Sequence, residues 1–238
     1  MLLPTIAVGQ RLSVEPVGTA GLSISNYNAS VGDAGLAISD RYSLGINAGW
    51  YLSSSETLAV GFFVERLTIP FRVPGKGIQF SSSAQMERTS FAYYGARLPI
   101  ELRLRLSRSP RTITLLYVTG GSLLAGYHSP ASLGDPRILE ITDGGTRYTL
   151  TYHGSLSTRS LTGLSFSQGI RGEIRAHKRA VILFGTEMTI GLIPIAITTL
   201  YYSIIPNGSS SGFSGEYTAR SQGSSINIYL GLQYGLHR

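Results

Sequence analysis

The stretch Ser224–Leu236 reads SSINIYLGLQYGL. Ile226, Ile228, Leu230, Leu232, Tyr234 and Leu236 share one parity. Asn227, Tyr229, Gly231, Gln233 and Gly235 share the other. A period of two with an oily face and a polar or small face predicts a β-strand. An apolar strand of this length is hazardous as a bare edge, so it is expected to pair with another strand. The first strand of the chain is the natural partner, and that pairing closes a barrel. The open question is whether the oily face meets a dry core or lipid.

Working outward, seven further strands are read upstream, six of them with the same alternation. Arg11–Ser25 puts Leu12, Val14, Ala20, Leu22 and Ile24 on one face. Tyr42–Leu52, Thr57–Leu67, Ser90–Leu106, Thr112–Tyr127, Thr158–Arg175 and Ala180–Leu192 follow. Thr112–Tyr127 is apolar on both faces, so its facing is ambiguous. The connections alternate in length. Asn26–Arg41, Thr68–Thr89, His128–Ser157 and Ile193–Gly223 read as long loops, although Arg147–Tyr152 could extend a strand beyond the main body. Ser53–Glu56, Ser107–Arg111 and Ala176–Arg179 read as short turns. Eight strands with this rhythm predict an all-β fold: a closed, antiparallel, up-and-down transmembrane barrel with short periplasmic turns and long external loops. Both termini are then periplasmic, and the expected location is the cell outer membrane.

Composition agrees. Charged residues are 14% of the 238, with 29 Gly, 14 Tyr and no Cys. Neither a disulfide framework nor a thiolate metal site is available. No run approaches the ~18 apolar residues of a membrane helix; the longest, Ile190–Leu200, carries Pro194. The formal charge of +7 raises the question of nucleic acid. Arg97, Arg103 and Arg105 alternate with leucines within one strand, whereas a nucleic-acid face gathers its cations on one exposed surface. Nucleic acid is not expected as a partner.

The polar parity carries charges of both signs: Glu15, Glu65, Arg97, Glu101, Arg103, Arg105, Arg171, Glu173 and Glu187. If that face looked outward at water, an oily interior would hold an apolar ligand in a soluble barrel. Three features favour the inverse. Glycine crowds the polar parity. Lysine, the usual guard of soluble sheets, is absent from all eight strands. Trp50, Tyr51, Tyr93, Tyr94, Tyr127, Tyr201 and Tyr202 sit near strand ends, as an interfacial girdle would. The charges are therefore expected to pair in the lumen as a structural plug, with a small polar conduit or proton path as the alternative. Pro99 cannot donate to a ladder, so a bulge or a missing hydrogen bond is expected there.

At this point the chain resembles the eight-stranded outer-membrane barrel proteins common in Bacteroidetes, the group that includes PorT-like proteins. The resemblance rests on Tyr94–Leu104 (YGARLPIELRL), Phe62–Glu65 (FFVE), Met188–Leu192 (MTIGL) and Tyr229–Leu236 (YLGLQYGL). It implies a non-enzymatic structural or accessory subunit of an envelope or secretion complex, with a protein partner bound through loops or turns. The closing strand is similar to the signal read by the barrel-assembly machinery: Gly231, then aromatic Tyr234, then Leu236. His237 and Arg238 follow where most members end on an aromatic residue.

Residues 1–9 resemble the tail of a secretory signal, with Ala7, Val8 and Gly9 placed for cleavage before Gln10; the barrel domain is then 10–238. No catalytic, metal or cofactor site is expected. His128 and His153 lie near Ser129, Asp143 and Ser155, so a hydrolase with a site at the rim is the alternative of a different class. No Gly-x-Ser-x-Gly signature supports it.

Overall fold

The computed structural model describes residues 12–29, 34–70, 90–106, 113–128, 136–143, 145–157, 162–177 and 180–235. The expected leader remnant, Ser107–Arg111, Ser129, Lys178, Arg179, Leu236 and His237 lie outside them. The described residues contain eleven strands and no helix. They are β1 (Leu12–Ala29), β2 (Ala34–Tyr51), β3 (Glu56–Pro70), β4 (Ser90–Arg105), β5 (Ile113–His128), β6 (Arg137–Asp143), β7 (Thr146–Ser157), β8 (Gly163–Arg175), β9 (Ala180–Gly191), β10 (Ala196–Pro206) and β11 (Phe213–Gly235). All pairings are antiparallel, and β1 pairs with β11.

Eight of these strands close the ring: β1, β2, β3, β4, β5, β8, β9 and β11. One row of partners can be followed around it. Leu12 leads to Trp50, Leu58, Leu102, Thr119, Gln168, Met188 and Ile226, and returns to β1 at Leu22. The ring therefore closes with a stagger of 22 − 12 = 10 residues. Stagger, strand number and tilt are linked, so the strands incline by roughly 40° and side chains alone fill the bore.

Outward and inward faces are inverted relative to a soluble protein. Leu44, Ile46, Val60, Phe62, Ile100, Leu164, Phe166, Ile170, Ile226, Ile228 and Leu230 are all exposed. Glu15, Glu65, Arg97, Glu101, Arg103, Arg171 and Glu187 are all buried. A contiguous belt of this size exposed to water would cost on the order of 25 cal/mol for each Å². The belt is therefore the lipid-facing surface of a transmembrane barrel, and the soluble ligand-binding alternative does not fit.

All four expected long loops are corrected in part. Thr68–Thr89 is strand as far as Pro70, and its residues 71–89 lie outside the described ones. Residues 26–29 and 34–41 continue β1 and β2 as paired strand. His128–Ser157 contains β6 and β7, joined by a hairpin with Gly145 at φ +83°. The Arg147–Tyr152 piece lies in β7. Ile193–Gly223 contains β10 and the upper part of β11. The cause is a reversal of solvent. β11 pairs with β9 from Ser225 to Tyr234, then leaves it and pairs with β10 from Ser221 to Phe213. Its odd residues face inward throughout, but they change character: Ser225 and Asn227 below, Tyr217 and Ala219 above. Its even residues change the opposite way, from Ile226 and Ile228 to Arg220, Thr218 and Glu216. Above the lipid the outside is water, so the inside becomes the oily side.

In this upper tier β10 continues the line of β9, β7 that of β8, and β6 that of β5. The join is irregular. β11 bulges against β1 between Ser224 and Ser221, with Gly223 at φ +77°. Pro194 interrupts the line from β9 to β10, and Ile195 N–H donates to the Ser221 carbonyl at 2.8 Å. Gly126, at φ +70°, shifts β5 so that Leu124 and Tyr127 both face inward. The ambiguous facing of β5 is thereby resolved, with Leu116, Val118 and Ser122 inside and Leu115 and Leu123 outside.

Pro99 behaves as its chemistry requires. The β3–β4 ladder holds at Val60–Ile100 and at Phe63–Arg97, and is unpaired between them without a change of register. A ladder gap, not a bulge, accommodates the missing donor. The girdle expectation is corrected in part. Tyr93, Tyr127 and Tyr202 point inward and are buried; Trp50, Tyr94 and Tyr201 point outward. Tyr42, Tyr94 and Tyr234 stand outward near the ends of the belt.

Candidate functional site

The lumen is the most chemically distinctive region. Its lower part holds one unbroken series of ion pairs. Arg41 Nη2 meets Glu65 Oε2 at 2.6 Å, and Glu65 Oε1 meets Arg97 Nε at 2.8 Å. Arg97 Nη1 meets Glu187 at 3.1 Å, and Glu187 meets Arg171 Nη2 at 2.7 Å. Arg171 then grips Glu101 through both nitrogens, at 2.7 and 2.9 Å. Glu101 meets Arg103 Nη2 at 3.1 Å, and Arg103 Nη1 reaches Glu15 at 2.7 Å. Signs alternate from Arg41 to Glu15, four of each, so the series is neutral. Neutrality and pairing are what a buried charge needs, because an unpaired one costs several kcal/mol.

Neighbours finish the coordination. Gln233 and Ser13 donate to Glu15 at the lower end. Tyr127 O–H donates to Glu65 at the upper end, and Arg41 donates to the Gly223 carbonyl and to Ser225. The Arg171 guanidinium lies 3.6 Å from the Tyr229 ring centre, and that of Arg97 lies 4.7 Å from Phe63. These cation–π contacts hold the planar groups in place.

Of the charges expected in the lumen, Glu15, Glu65, Arg97, Glu101, Arg103, Arg171 and Glu187 are gathered in this series. Arg105 and Glu173 are not: they form a separate pair at 3.7 Å near the lower mouth, with Arg105 41% exposed. Such a pair contributes under about 1 kcal/mol. Arg41 is the residue that sequence reasoning missed. It lies in Asn26–Arg41, which reads as a loop. Its parity with Ser43, Gly45 and Asn47 was the available signal.

Above the ion pairs the bore is closed a second time, by packing. Leu67, Ile69, Phe91, Tyr93, Leu124, Tyr127, Leu150, Tyr152, Ile195, Leu200, Tyr202, Ile204 and Tyr217 form one buried cluster. It draws on β3, β4 and β5 on one side and β7, β10 and β11 on the other. Tyr93 O–H is tied across it to Thr198 at 2.7 Å and to the Ile197 carbonyl at 3.0 Å. The lumen is thus polar and neutral below, apolar and packed above.

Of the residues of the rim-hydrolase alternative, His128, Asp143 and His153 stand on three different strands, and Ser129 lies outside the described residues. His153 faces outward on β7 with its ring 5.7 Å from that of Tyr201. Asp143 pairs with Thr146 at the hairpin end of β6, whereas His153 lies further along β7, opposite Tyr201. His128 caps β5 and contacts the Gly126 carbonyl. Among the described residues no group of three His, Cys, Asp or Glu side chains is placed to hold a metal ion.

In the expected assembly signal, Gly231 faces Val17 across the β1–β11 seam, and Tyr234 is 46% exposed at the lower edge of the belt.

No family model matches the chain, and no curated protein matches it. Among solved structures it is similar to the Neisserial surface protein A, at 11% identity over 94% of this chain and 96% of that one, with a TM-score of 0.44. It is similar to the outer membrane protein OprG of Pseudomonas aeruginosa at 9% identity over 96% and 97%, with a TM-score of 0.47. The attachment invasion locus protein Ail of Yersinia pestis matches at 11% identity over 94% and 99%, with a TM-score of 0.32. At these values the likeness carries no functional inference. The inverted surface, the ten-residue stagger and the ring closure do the identifying: the chain is a closed, eight-stranded, antiparallel β-barrel of the outer-membrane type.

Proposed function

We propose that this protein is a non-enzymatic outer-membrane barrel that serves as a sealed anchor, an accessory subunit of an envelope or secretion complex. The observation that carries this is the double closure of the lumen. A pore needs a continuous wet path, and both the neutral ion-pair series and the aromatic cluster above it stand across that path. What remains for function is the outside. The upper tier lifts a wall of β6, β7, β10 and β11, continued by the upper parts of β1 and β2, clear of the lipid, and it would present a partner-binding face to the medium. The end at which β1 begins and β11 finishes would then face the periplasm. The resemblance to PorT-like proteins supports the same reading.

Reconstitution in planar bilayers tests it. The expected result is no steady ion conductance above the bare membrane, at either polarity. Stable unit conductance steps from the folded protein would sink the sealed-anchor reading.

We infer also that Tyr234 and Gly231 serve barrel assembly more than any chemistry. Tyr234 offers an outward aromatic at the lower edge of the belt, one residue before β11 finishes. Tyr234→Ala is expected to lower the amount of heat-modifiable, folded barrel in cells several-fold while leaving the urea midpoint of the purified protein nearly unchanged. A matching fall in both would make Tyr234 an ordinary stability residue.

A further inference from the structure

A row of three outward residues crosses the upper edge of the apolar belt. Tyr42 on β2 is the direct partner of Arg66 on β3, and Arg66 is the direct partner of Tyr94 on β4. Directly opposed residues on a sheet bring their Cβ atoms within about 5 Å of one another. All three side chains are exposed. Immediately below them come Leu44, Val64 and Ala96, with Leu98 one step further down β4; Leu44, Val64 and Leu98 face lipid. Above them stand Asp40, exposed, and Thr68, whose hydroxyl is turned back to the Asp40 carbonyl.

The Arg66 side chain forms no ion pair or hydrogen bond among the described residues, and neither does the Asp40 side chain. The arginines of the lumen all have carboxylates, and Arg105 has Glu173. Arg66 is an always-charged group at the margin of an apolar phase, where it gains from an anion supplied from outside. Two phenols flank it at headgroup depth, the position that tyrosine favours at a membrane interface. A guanidinium presents a planar fork of N–H donors that matches the oxygens of a phosphoryl group, and hydrogen bonds to such an anion are short and strong. Two O–H donors beside it complete the set.

We propose that Tyr42, Arg66 and Tyr94 form a binding site for the phosphoryl group of a membrane lipid. With the upper tier facing the medium, as the proposed function has it, that lipid is a phosphorylated glycolipid of the outer leaflet, of the lipid A kind. The guanidinium takes two phosphoryl oxygens, the phenols take others, and the acyl chains lie on Leu44, Val64 and Leu98 below. The site would fix the barrel's depth and rotation in an anionic leaflet.

Native mass spectrometry in a neutral detergent tests this with the folded protein. The probes are bisphosphorylated lipid A, enzymatically dephosphorylated lipid A, and phosphatidylglycerol. Arg66→Gln is expected to weaken lipid A binding roughly tenfold, and removing the phosphates from the lipid should have the same effect on the wild type. Arg175→Gln, an exposed arginine at the opposite rim with no flanking tyrosine, should leave binding unchanged. Heat-modifiable migration of each variant confirms that it is folded. Equal binding by wild type and Arg66→Gln, or equal binding of dephosphorylated lipid A, overturns the site. Tighter Arg66-dependent binding of phosphatidylglycerol than of lipid A overturns the outer-leaflet assignment. Neither result bears on the bilayer conductance, so failure of the site and failure of the sealed-anchor reading are separately visible.

Discussion

Glu101→Leu is expected to destabilise the folded barrel by about 3–5 kcal/mol. Glu101 is the carboxylate that Arg171 holds with both nitrogens, and it also pairs with Arg103. Leucine fills much of the volume but leaves the neutral series with an excess positive charge in a sealed bore. Arg171 keeps Glu187 and Arg103 keeps Glu15, so the lower end of that range is the better guide. Urea titration in detergent, read by loss of heat-modifiable migration, gives the midpoint. Ser209→Ala is the comparison. Ser209 is exposed and its side chain bonds within its own turn, to Ser211, and a change there should stay within about 0.5 kcal/mol. Equal midpoints for the two variants would show that the inward charges do not hold the barrel together.

The second large effect is steric. Gly45→Val should cost about 3 kcal/mol or more and lower the yield of folded protein sharply. Phe63 is fully buried and lies over Gly45, its cross-strand partner. A Cβ on Gly45 would lie 2.5 Å from the Phe63 ring and collide with the Phe62 carbonyl oxygen. The ring cannot retreat, because the Arg97 guanidinium stands over it. Gly121→Ala is the control: it faces outward, and its added Cβ would meet only an ordinary 3.6 Å contact with the Ser165 carbonyl. Its urea midpoint should match wild type closely. A Gly45→Val protein as stable as wild type would mean that Phe63 does not pack as described.

These two predictions show why glycine and charge share a parity. In a bore this narrow, an aromatic or arginine on one stave needs a bare backbone on the next. Gly95 under Tyr127 repeats the arrangement: a Cβ there would lie 2.6 Å from the ring. The crowding of the polar parity by glycine was legible in the sequence. Which large residue covers which glycine was not, because that depends on register.

Legibility followed the solvent. Along the belt, lipid outside and paired charge inside force an alternation, so the eight staves, and the facing of all but Thr112–Tyr127, could be read from residues such as Ile226, Leu230 and Leu104. Pro99 could be read too, since a missing N–H has the same consequence in any ladder. Above the belt the rule reverses. Thr218 and Arg220 now face water, and Tyr217 and Ala219 face a core. A reading tuned to apolar-out strands takes that stretch for loop. β10 was harder still, because Ile197, Tyr201 and Ile205 share its outward face with Thr199 and Ser203. The same blind spot hid Arg41, the upper end of the ion-pair series.

Along the belt the residues alone were enough for the period, the sign of most faces and the presence of balanced charge, because these are local properties of alternating side chains in two solvents. The ten-residue stagger, and with it every long-range partnership, exists only in the closed ring. Arg103 meets Glu15 across 88 positions, and Arg97 meets Glu187 across 90. No local rule joins such residues; the tilt of the barrel does. The strand Phe213–Gly235 carries both lessons, with its lower half written plainly in the residues and its upper half intelligible only once water replaces lipid around it.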